Sequence, residues 1–209
     1  MYIPKANEET RLPVLHAHIR AHPFATLITM GATSLTATHL PLVLEDDGSD
    51  FGLLKGHISR ANPQHKDLNP SVEALAIFAG DHHYITPNWY PSKHETGKQV
   101  PTWNYAVTHA YGPLRLVEDP HWLLAHLTSL TNIHEASFPQ PWHVDDAPPD
   151  FIQQMLHGII GLELPIRKLE GKWKISQNRT PQDREGVKQG LSQLDTPESL
   201  AMKSLMDKL

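Results

Sequence analysis

The stretch LLKGHISRANPQ, from Leu53 to Gln64, begins as a strand and then becomes polar. Lys55, His57 and Ser59 are two residues apart, so on a strand their side chains point to the same face. Arg60 follows at the point where the strand is expected to end. The stretch therefore predicts a strand whose end gathers two cations, an imidazole and a hydroxyl.

This polar strand end is a candidate anion site. Asn62-Pro63 indicates a helix start just after Arg60, because proline is favoured at the first helical position. The first turn of a helix offers free backbone N–H groups and the positive end of the helix dipole. A phosphate monoester would gain charge-assisted hydrogen bonds from Arg60 and Lys55. The alternative is a solvated strand end whose charges pair with Asp67 or Glu45.

The composition is that of a folded globular protein. Hydrophobic residues make up 39% of the 209 residues and charged residues 20%. The formal net charge of −5 argues against broad, non-specific binding to nucleic acid, which needs a basic surface. The absence of cysteine excludes disulfides and thiolate chemistry. Eighteen prolines favour strands and loops over long helices.

The N-terminal residues MYIPKANEETR carry charges and lack the apolar core of a signal peptide. No apolar run approaches the roughly 20 residues of a membrane span. A cytoplasmic location is therefore expected.

The chain is predicted to form six or seven strands with helices inserted between them. The predicted strands are Phe24–Met30, Ser34–Glu45, Phe51–Ser59, Val72–Ala79, Pro101–Val117 with a bend at Gly112-Pro113, Gly158–Pro165 and Arg167–Ser176. The predicted helices are Glu8–Arg20, a short one from Asn62-Pro63 to Asn69-Pro70, Asp119–Glu135, one after Pro148-Pro149, and two in the tail, the second starting at Thr196-Pro197-Glu198.

Turn residues and prolines indicate how the strands connect. Pro41 demands an edge position or a bulge in the second strand. The turn residues at 46–50 predict a hairpin between the second and third strands, and Glu170-Gly171 predicts a closing hairpin. Because no strand–helix alternation repeats, a mainly β, mostly antiparallel barrel with inserted helices is expected. We expect residues 1–179 to form this domain and residues 180–209 a helical tail, packed on it or on a partner.

Common catalytic and nucleotide-binding motifs are absent from the sequence. It contains no GxxxxGK[ST], GxGxxG, GxSxG or HExxH pattern. The fifteen histidines do not follow a recognised ligand spacing, and no metal site is predicted.

Aromatic residues form a second candidate site. Trp103 and Tyr105 share one face of a predicted strand, and Asn104 lies on the other. Tyr84, Trp89 and Tyr90 are close in sequence. Rings next to amides suit a flat heteroaromatic ligand. The alternative is that the rings belong to the core or to a dimer interface.

A third candidate is GKWKISQNR, from Gly171 to Arg179, which gathers Lys174 and Gln177 at the end of a strand. The alternative is a strand that runs into a polar linker.

These stretches, in this order, resemble the PaiB-type family, named FMN-binding negative transcriptional regulators. The residues that carry the resemblance are MYIP at 1–4, HLPLVLE at 39–45, LKGHISRANPQ at 54–64, YITPNWYPSK at 84–93, VPTWNY at 100–105 and GKWKISQNR at 171–179. The sequence departs from the family at Ser59, where Ala is common, and at Asn7, where an aromatic residue is frequent.

The resemblance implies a split β-barrel homodimer that binds FMN between its subunits, similar to the wider pyridoxamine-phosphate-oxidase-like superfamily. It implies that Ser59-Arg60 holds the FMN phosphate and that strand 39–43 passes beside the isoalloxazine. The partner chain is expected to contribute Trp103-Asn104, together with Lys174 and Gln177. The expected FMN ligands are His39, Lys55, His57, Ser59, Arg60, Asn62, Trp103, Asn104, Lys174 and Gln177.

Three functions are compatible with this resemblance. The first is an FMN-binding transcriptional regulator, although the sequence has no basic recognition helix that would bind DNA directly. The second is a flavin-dependent oxidoreductase of unknown substrate, in which FMN supplies the chemistry. The third, less favoured, is binding or degradation of haem, as in related split barrels.

Overall fold

The computed structural model describes residues 1–208, which divide into two compact units. The first unit comprises Met1–His18, Phe78–His109 and Glu170–Leu209. The second comprises Ile19–Ile77 and Ala110–Leu169. The chain passes from one unit to the other at residues 18–19, 77–78, 109–110 and 169–170, so both units are built from discontinuous segments.

Six α-helices and ten β-strands are present in residues 1–208. The helices are α1 Leu12–Ala21, α2 Ser92–Thr96, α3 Pro120–Glu135, α4 Pro149–His157, α5 Pro181–Leu194 and α6 Pro197–Asp207. The strands are β1 Glu8–Glu9, β2 Phe24–Met30, β3 Leu35–Pro41, β4 Val43–Glu45, β5 Leu53–Ser59, β6 Ala74–Ile85, β7 Thr102–Gly112, β8 Arg115–Val117, β9 Ile159–Pro165 and β10 Lys168–Lys174.

The first unit is a sheet covered by the C-terminal helices. Its strands lie in the order β1, β10, β7 and β6, and β1 is antiparallel to β10. Helices α5 and α6 pack against each other. The Trp89 ring lies against Gly190 of α5 and its backbone lies against Gly186, positions where any side chain would clash. Helix α5 of the tail therefore packs closely against Trp89 of the same unit.

The second unit contains the β2–β3 hairpin and a four-stranded sheet. Strand β2 also pairs with residues 75–77 of β6, and the four-stranded sheet has the order β4, β5, β9 and β8. Every second side chain of β5 and β9 is buried, including Leu54, Ile58, Ile160 and Leu162. The opposite face of β5 therefore presents Lys55, His57 and Ser59, as their spacing predicted.

The first predicted helix begins later than expected. Residues Glu8–Glu9 form β1, and α1 starts at Leu12. The predicted start of this helix at Glu8 is wrong, because Glu8 and Glu9 pair with β10, and the Glu9 carboxylate accepts hydrogen bonds from the Arg11 backbone N–H at 2.8 Å and from Arg11 Nε at 2.9 Å. These contacts keep Glu9 outside the helix.

The predicted second strand is divided in two. It breaks at Leu42, whose N–H donates to the Pro23 carbonyl at 2.9 Å, so β3 and β4 belong to different sheets. Pro41 ends β3, an edge strand, which confirms the predicted edge position. The hairpin around residues 46–50 is also confirmed, with Val43 opposite Lys55.

The predicted closing hairpin is wrong. Strand β9 pairs with β5 and β8, whereas β10 pairs with β1 and β7. The short helix predicted after Asn62 is reduced to a single turn at Pro63–His65, and the strand predicted from Val72 extends to Ile85. The bend at Gly112-Pro113, α3, α4 and the two tail helices are confirmed, and Thr196 caps α6.

None of the helices in residues 1–208 combines the length and the apolar character that crossing a membrane requires.

Candidate functional site

A groove of about 620 Å³ lies in the second unit, beside the polar end of β5. Its walls come from β3, from the end of β5 and the turn after it, and from the α4–β9 connection. The lining residues are Thr38, His39, Leu40, Pro41, His57, Ile58, Ser59, Asn62, Met155, Gly158 and Ile159. Four of the predicted FMN ligands are therefore brought together: His39, His57, Ser59 and Asn62.

Asn62 shapes the end of the groove by capping the single helical turn. Its side-chain oxygen accepts from the Gln64 N–H at 3.0 Å, and its amide nitrogen donates to Thr38 Oγ1 at 3.0 Å. The Ser59 hydroxyl accepts from the Ala61 N–H at 3.2 Å. These short-range bonds hold the turn against β3 and leave the Ser59 side chain exposed at the groove.

His39 is held at the groove by two contacts on the neighbouring strand. Its ring stacks on exposed Phe24, with centroids 6.3 Å apart, and its Nδ1 lies 3.0 Å from Thr26 Oγ1. The exposed edge of β3 thus presents a preordered imidazole.

Arg60 lies at the end of β5, and its guanidinium already donates hydrogen bonds to other groups of the protein. Nη1 donates to Glu118 Oε2 at 2.8 Å, Nε to the His157 carbonyl at 3.0 Å, and Nη2 to the Ile159 carbonyl at 3.2 Å. The side chain therefore ties the β5 end to the α4–β9 connection. A phosphate at this end of the groove would compete with Glu118 for Arg60.

Lys55 also has a partner inside the protein. Its Nζ lies 2.5 Å from Glu45 Oε2 and 5.7 Å from the centroid of the Trp122 ring. The pairing with Glu45, one of the alternatives to an anion site, is therefore present. Asp67, the other suggested partner, instead accepts from the Ala32 N–H at 3.0 Å.

His57 contacts His126, a residue that was not among the predicted site residues. Its Nδ1 lies 3.2 Å from Nε2 of His126, which is only 3% exposed. Burial lowers the pKa of His57. Burial, together with the neighbouring His57 and Lys55, lowers the pKa of His126 to about 4. Both imidazoles are therefore neutral at neutral pH. The available signal in the sequence was the spacing of Trp122 and His126, which places both on one face of α3.

The predicted site residues of the first unit form a separate cluster on β7 and β10. The Trp103 side chain is 53% exposed and its ring contacts Tyr84 at a centroid distance of 5.9 Å. Lys174 Nζ donates to the Trp103 carbonyl at 2.6 Å and to the Thr102 hydroxyl. Partial burial, followed by the charges of Lys172 and Arg179, lowers the Lys174 pKa.

The two amides predicted beside them have partners within the protein. Asn104 is 1% exposed and exchanges hydrogen bonds with the Ser176 hydroxyl at 3.0 and 3.2 Å. Gln177 accepts from the Ile175 N–H at 2.7 Å and donates to the Trp173 carbonyl. Both amides support the strand that carries Lys174, and their contact with FMN stays a prediction.

The chemistry of the second-unit groove fits a flavin mononucleotide. A volume of about 620 Å³ lies within the usual range for small-molecule sites, roughly 300–1,000 Å³. Leu40, Pro41, Ile58 and Met155 supply apolar surface for a planar ring. The Ser59 hydroxyl lies at the polar end, where a phosphate would find a hydrogen-bond donor.

Sequence comparison identifies the family. Residues 1–168 match the family described as "Putative FMN-binding domain". The chain is 35% identical to an uncharacterized protein of Emericella nidulans, over 94% of this chain and 92% of that protein. It is 31% identical to protease synthase and sporulation protein PAI 2 of Bacillus subtilis, over 99% of this chain and 97% of that protein.

Solved structures share the fold at low sequence identity. The flavocytochrome Anf3 of Azotobacter vinelandii matches with a TM-score of 0.58 and 13% identity, over 82% of this chain and 72% of that one. A conserved hypothetical protein of Mycobacterium tuberculosis matches with a TM-score of 0.58 and 13% identity, over 87% and 94%. The predicted fold, mainly β and of the flavin-binding split-barrel type, is confirmed. The chain belongs to the FMN-binding domain family of PaiB-type proteins, and FMN is its cofactor.

Proposed function

We propose that the groove beside β5 holds FMN, with the phosphate at Ser59 and the ring system along residues 39–41. The observation that carries this proposal is that His39, His57, Ser59 and Asn62 line one groove of suitable volume. Bound FMN would supply electron and hydride transfer, whereas the chain binds and orients it.

The phosphate end of the groove is supported by the donors around Ser59. The exposed hydroxyl of Ser59 lies beside the capped turn at Asn62. Arg60 would join the site by exchanging Glu118 for the phosphate, because both are anions that accept from the same guanidinium N–H group. Lys55 contributes at a distance, since it remains paired with Glu45.

Titration with FMN and with riboflavin tests this arrangement. Since a hydrogen bond to a charged group contributes about 1.5–3 kcal/mol, FMN should bind roughly tenfold or more tightly than riboflavin, which lacks the phosphate. Ser59→Ala should reduce this preference, whereas Ser71→Ala, at an exposed position of the same unit, should not. Equal affinity for FMN and riboflavin in the natural protein would exclude the proposed phosphate site.

We further propose that the protein is a homodimer in which the first unit of one chain completes the FMN site of its partner. Exposed Trp103, Tyr84 and Val100 support this proposal, because large apolar side chains are enriched at protein interfaces. Trp103 and Lys174 would contact the cofactor, while Asn104 and Gln177 hold the two strands, β7 and β10, that carry them. Sedimentation equilibrium should give twice the chain mass, and Trp103→Ser should lower both dimer stability and FMN affinity. A monomer with full FMN affinity would contradict the proposal.

Two biological roles are compatible with FMN binding. A role as a transcriptional regulator is what the resemblance to the PaiB-type family implies, and a gel-shift assay with its salt dependence tests direct DNA binding. A role as a flavin oxidoreductase predicts that NADH or NADPH bleaches the flavin absorption under anaerobic conditions. A cytoplasmic location stays a prediction.

A further inference from the structure

Gly161 on β9 leaves space for the indole ring of Trp122 beside His57. Gly161 lies directly opposite His57 in the β5–β9 pairing. A Cβ at Gly161 would clash with Trp122 Cζ3 and lie 2.9 Å from Cε3, so the indole occupies the space of the missing side chain. Trp122 Nε1 donates to Glu163 Oε1 at 2.9 Å, which fixes the ring on the strand.

The Trp122 indole packs against the buried imidazole of His126. The rings of Trp122 and His126 are stacked, with centroids 5.2 Å apart and an interplanar angle of 22°. The stack directs His126 Nε2 at His57 Nδ1, at 3.2 Å. His57 in turn lines the proposed FMN groove. A chain of contacts therefore leads from Gly161 through Trp122 and His126 to the groove.

The pair of imidazoles has two possible arrangements of protons. A hydrogen bond between two ring nitrogens requires one N–H, and each neutral imidazole carries only one. Either His57 donates through Nδ1, or His126 donates through Nε2. In the first arrangement, the single N–H of His126 is on Nδ1. In the second, His126 Nδ1 is a bare acceptor.

The surroundings of His126 Nδ1 favour the second arrangement. This atom is buried and has no hydrogen-bond partner within residues 1–208. An orphaned buried N–H donor is rare in native proteins because its desolvation is uncompensated, whereas an unpaired acceptor is tolerated more often. His126 therefore keeps its proton on Nε2 and donates it to His57. The proton of His57 is then on its own Nε2.

The charged groups nearby keep the pair neutral. Lys55, on the same strand face as His57, carries a positive charge that disfavours an imidazolium. The carboxylates of this region are engaged elsewhere, Glu45 with Lys55 and Glu163 with Trp122. Within residues 1–208, the hydrogen-bond partner of each imidazole is the other imidazole and not a carboxylate.

We infer that His126 is a positioning residue, which holds His57 as a neutral imidazole with its Nε2–H available to the FMN groove. An N–H donor suits the polar edge of a flavin ring, where carbonyl oxygens and ring nitrogens accept hydrogen bonds. The inference rests on the proposed FMN site, but the proton arrangement exists without cofactor. The FMN site and the proton arrangement can therefore be tested separately.

The proton arrangement is tested by nitrogen-15 NMR of the histidine side chains in the flavin-free protein. The inference predicts that His57 and His126 both carry their proton on Nε2. The opposite arrangement places both protons on Nδ1 and would overturn the inference. His57→Gln and His126→Gln spectra assign the resonances.

The positioning role is tested with two variants of the same residue. His126→Gln retains an N–H donor toward His57, whereas His126→Phe retains the stack on Trp122 and loses the donor. We expect the phenylalanine variant to bind FMN about tenfold more weakly and the glutamine variant to stay close to the natural protein, on the scale of one hydrogen bond. His134→Phe, at an exposed position of α3, is the matched control.

His126→Phe also leaves His57 Nδ1 without its hydrogen-bond donor, so this nitrogen can accept a proton and the pH dependence of FMN affinity should change, which a purely structural role would not cause. Equal affinity and an unchanged pH profile in His126→Phe would overturn the positioning role. If the natural protein shows no preference for FMN over riboflavin, the proposed site fails, and the NMR result still decides the proton arrangement.

Discussion

His57 Nδ1 lies 3.2 Å from His126 Nε2, although the two residues are 69 positions apart in the chain. This contact joins β5, which borders the groove, to α3, which packs against β9 of the same sheet. It also places two neutral histidines where neither is easily protonated, which has a measurable consequence for stability.

The protein should lose stability in mild acid because of His126. The pKa of this residue is about 4 in the folded chain and near 6.5 when unfolded, so between these values the unfolded state binds more protons. The free energy of unfolding should be fully maintained above pH 6.5 and fall by up to about 3 kcal/mol as the pH drops towards 4. Urea denaturation at a series of pH values measures this decrease.

His126→Phe should flatten this pH dependence, whereas exposed His134→Phe should leave it unchanged. The same slope in both variants would assign the acid sensitivity to other groups.

Gly161→Ala should destabilise the second unit by overpacking. The new methyl group would clash with the Trp122 ring, and such insertions typically cost about 1–3 kcal/mol. Chemical denaturation measures the loss. A double-mutant cycle with Trp122→Leu isolates the cause, since the alanine should be better tolerated once the indole is removed. An equal loss in both backgrounds would show that the clash with Trp122 is not responsible.

Glu118→Gln should strengthen FMN binding if Arg60 takes part in holding the phosphate. The substitution weakens the exposed Arg60–Glu118 ion pair, which competes with the phosphate for Nη1. Such pairs contribute about 0.2–1 kcal/mol, so an increase of up to about fivefold in affinity is expected. Riboflavin affinity, measured in parallel, should not change. An equal gain for both flavins, or none for FMN, would indicate that Arg60 only ties β5 to the α4–β9 connection.

Asp195→Gly should stabilise the helical tail of the first unit. Asp195 has a φ of 50° between α5 and α6, in the left-handed region that glycine adopts without steric penalty. The expected gain in the free energy of unfolding is about 0.5–1 kcal/mol by thermal or urea denaturation. Asp195→Asn controls for the loss of charge, because asparagine also tolerates this conformation. A larger gain for asparagine than for glycine would point to electrostatics instead.

Local sequence patterns predicted the elements whose signals lie within a few residues. The two-residue spacing of Lys55, His57 and Ser59 placed them on one strand face, and Asn62-Pro63 marked the capped turn. These features depend on backbone geometry and short-range hydrogen bonds, which neighbouring residues decide. The resemblance carried by the six matching stretches led to the family, the fold and FMN.

Other features depended on pairing between distant segments. Glu8 and Glu9 have the charge pattern of a helix start, but their pairing with β10 holds them in a strand. The apolar run before Glu170-Gly171 and the strand after it read as a hairpin, yet each found partners in a different sheet. Alternation along a strand shows which face is buried and does not show which strand lies beside it.

The family, the cofactor and the residues of β5 that share a face follow from matching stretches and from a period of two, both of which are local to the sequence. The contacts of those side chains come from the folded chain: Lys55 is paired with Glu45, Arg60 with Glu118, and His57 with His126. Side-chain partners are chosen by packing across segments far apart in the chain, where Gly161 leaves space for Trp122 and Trp122 supports His126. The charge of an imidazole then depends on its burial and its neighbours, and neither can be obtained from its position in the sequence.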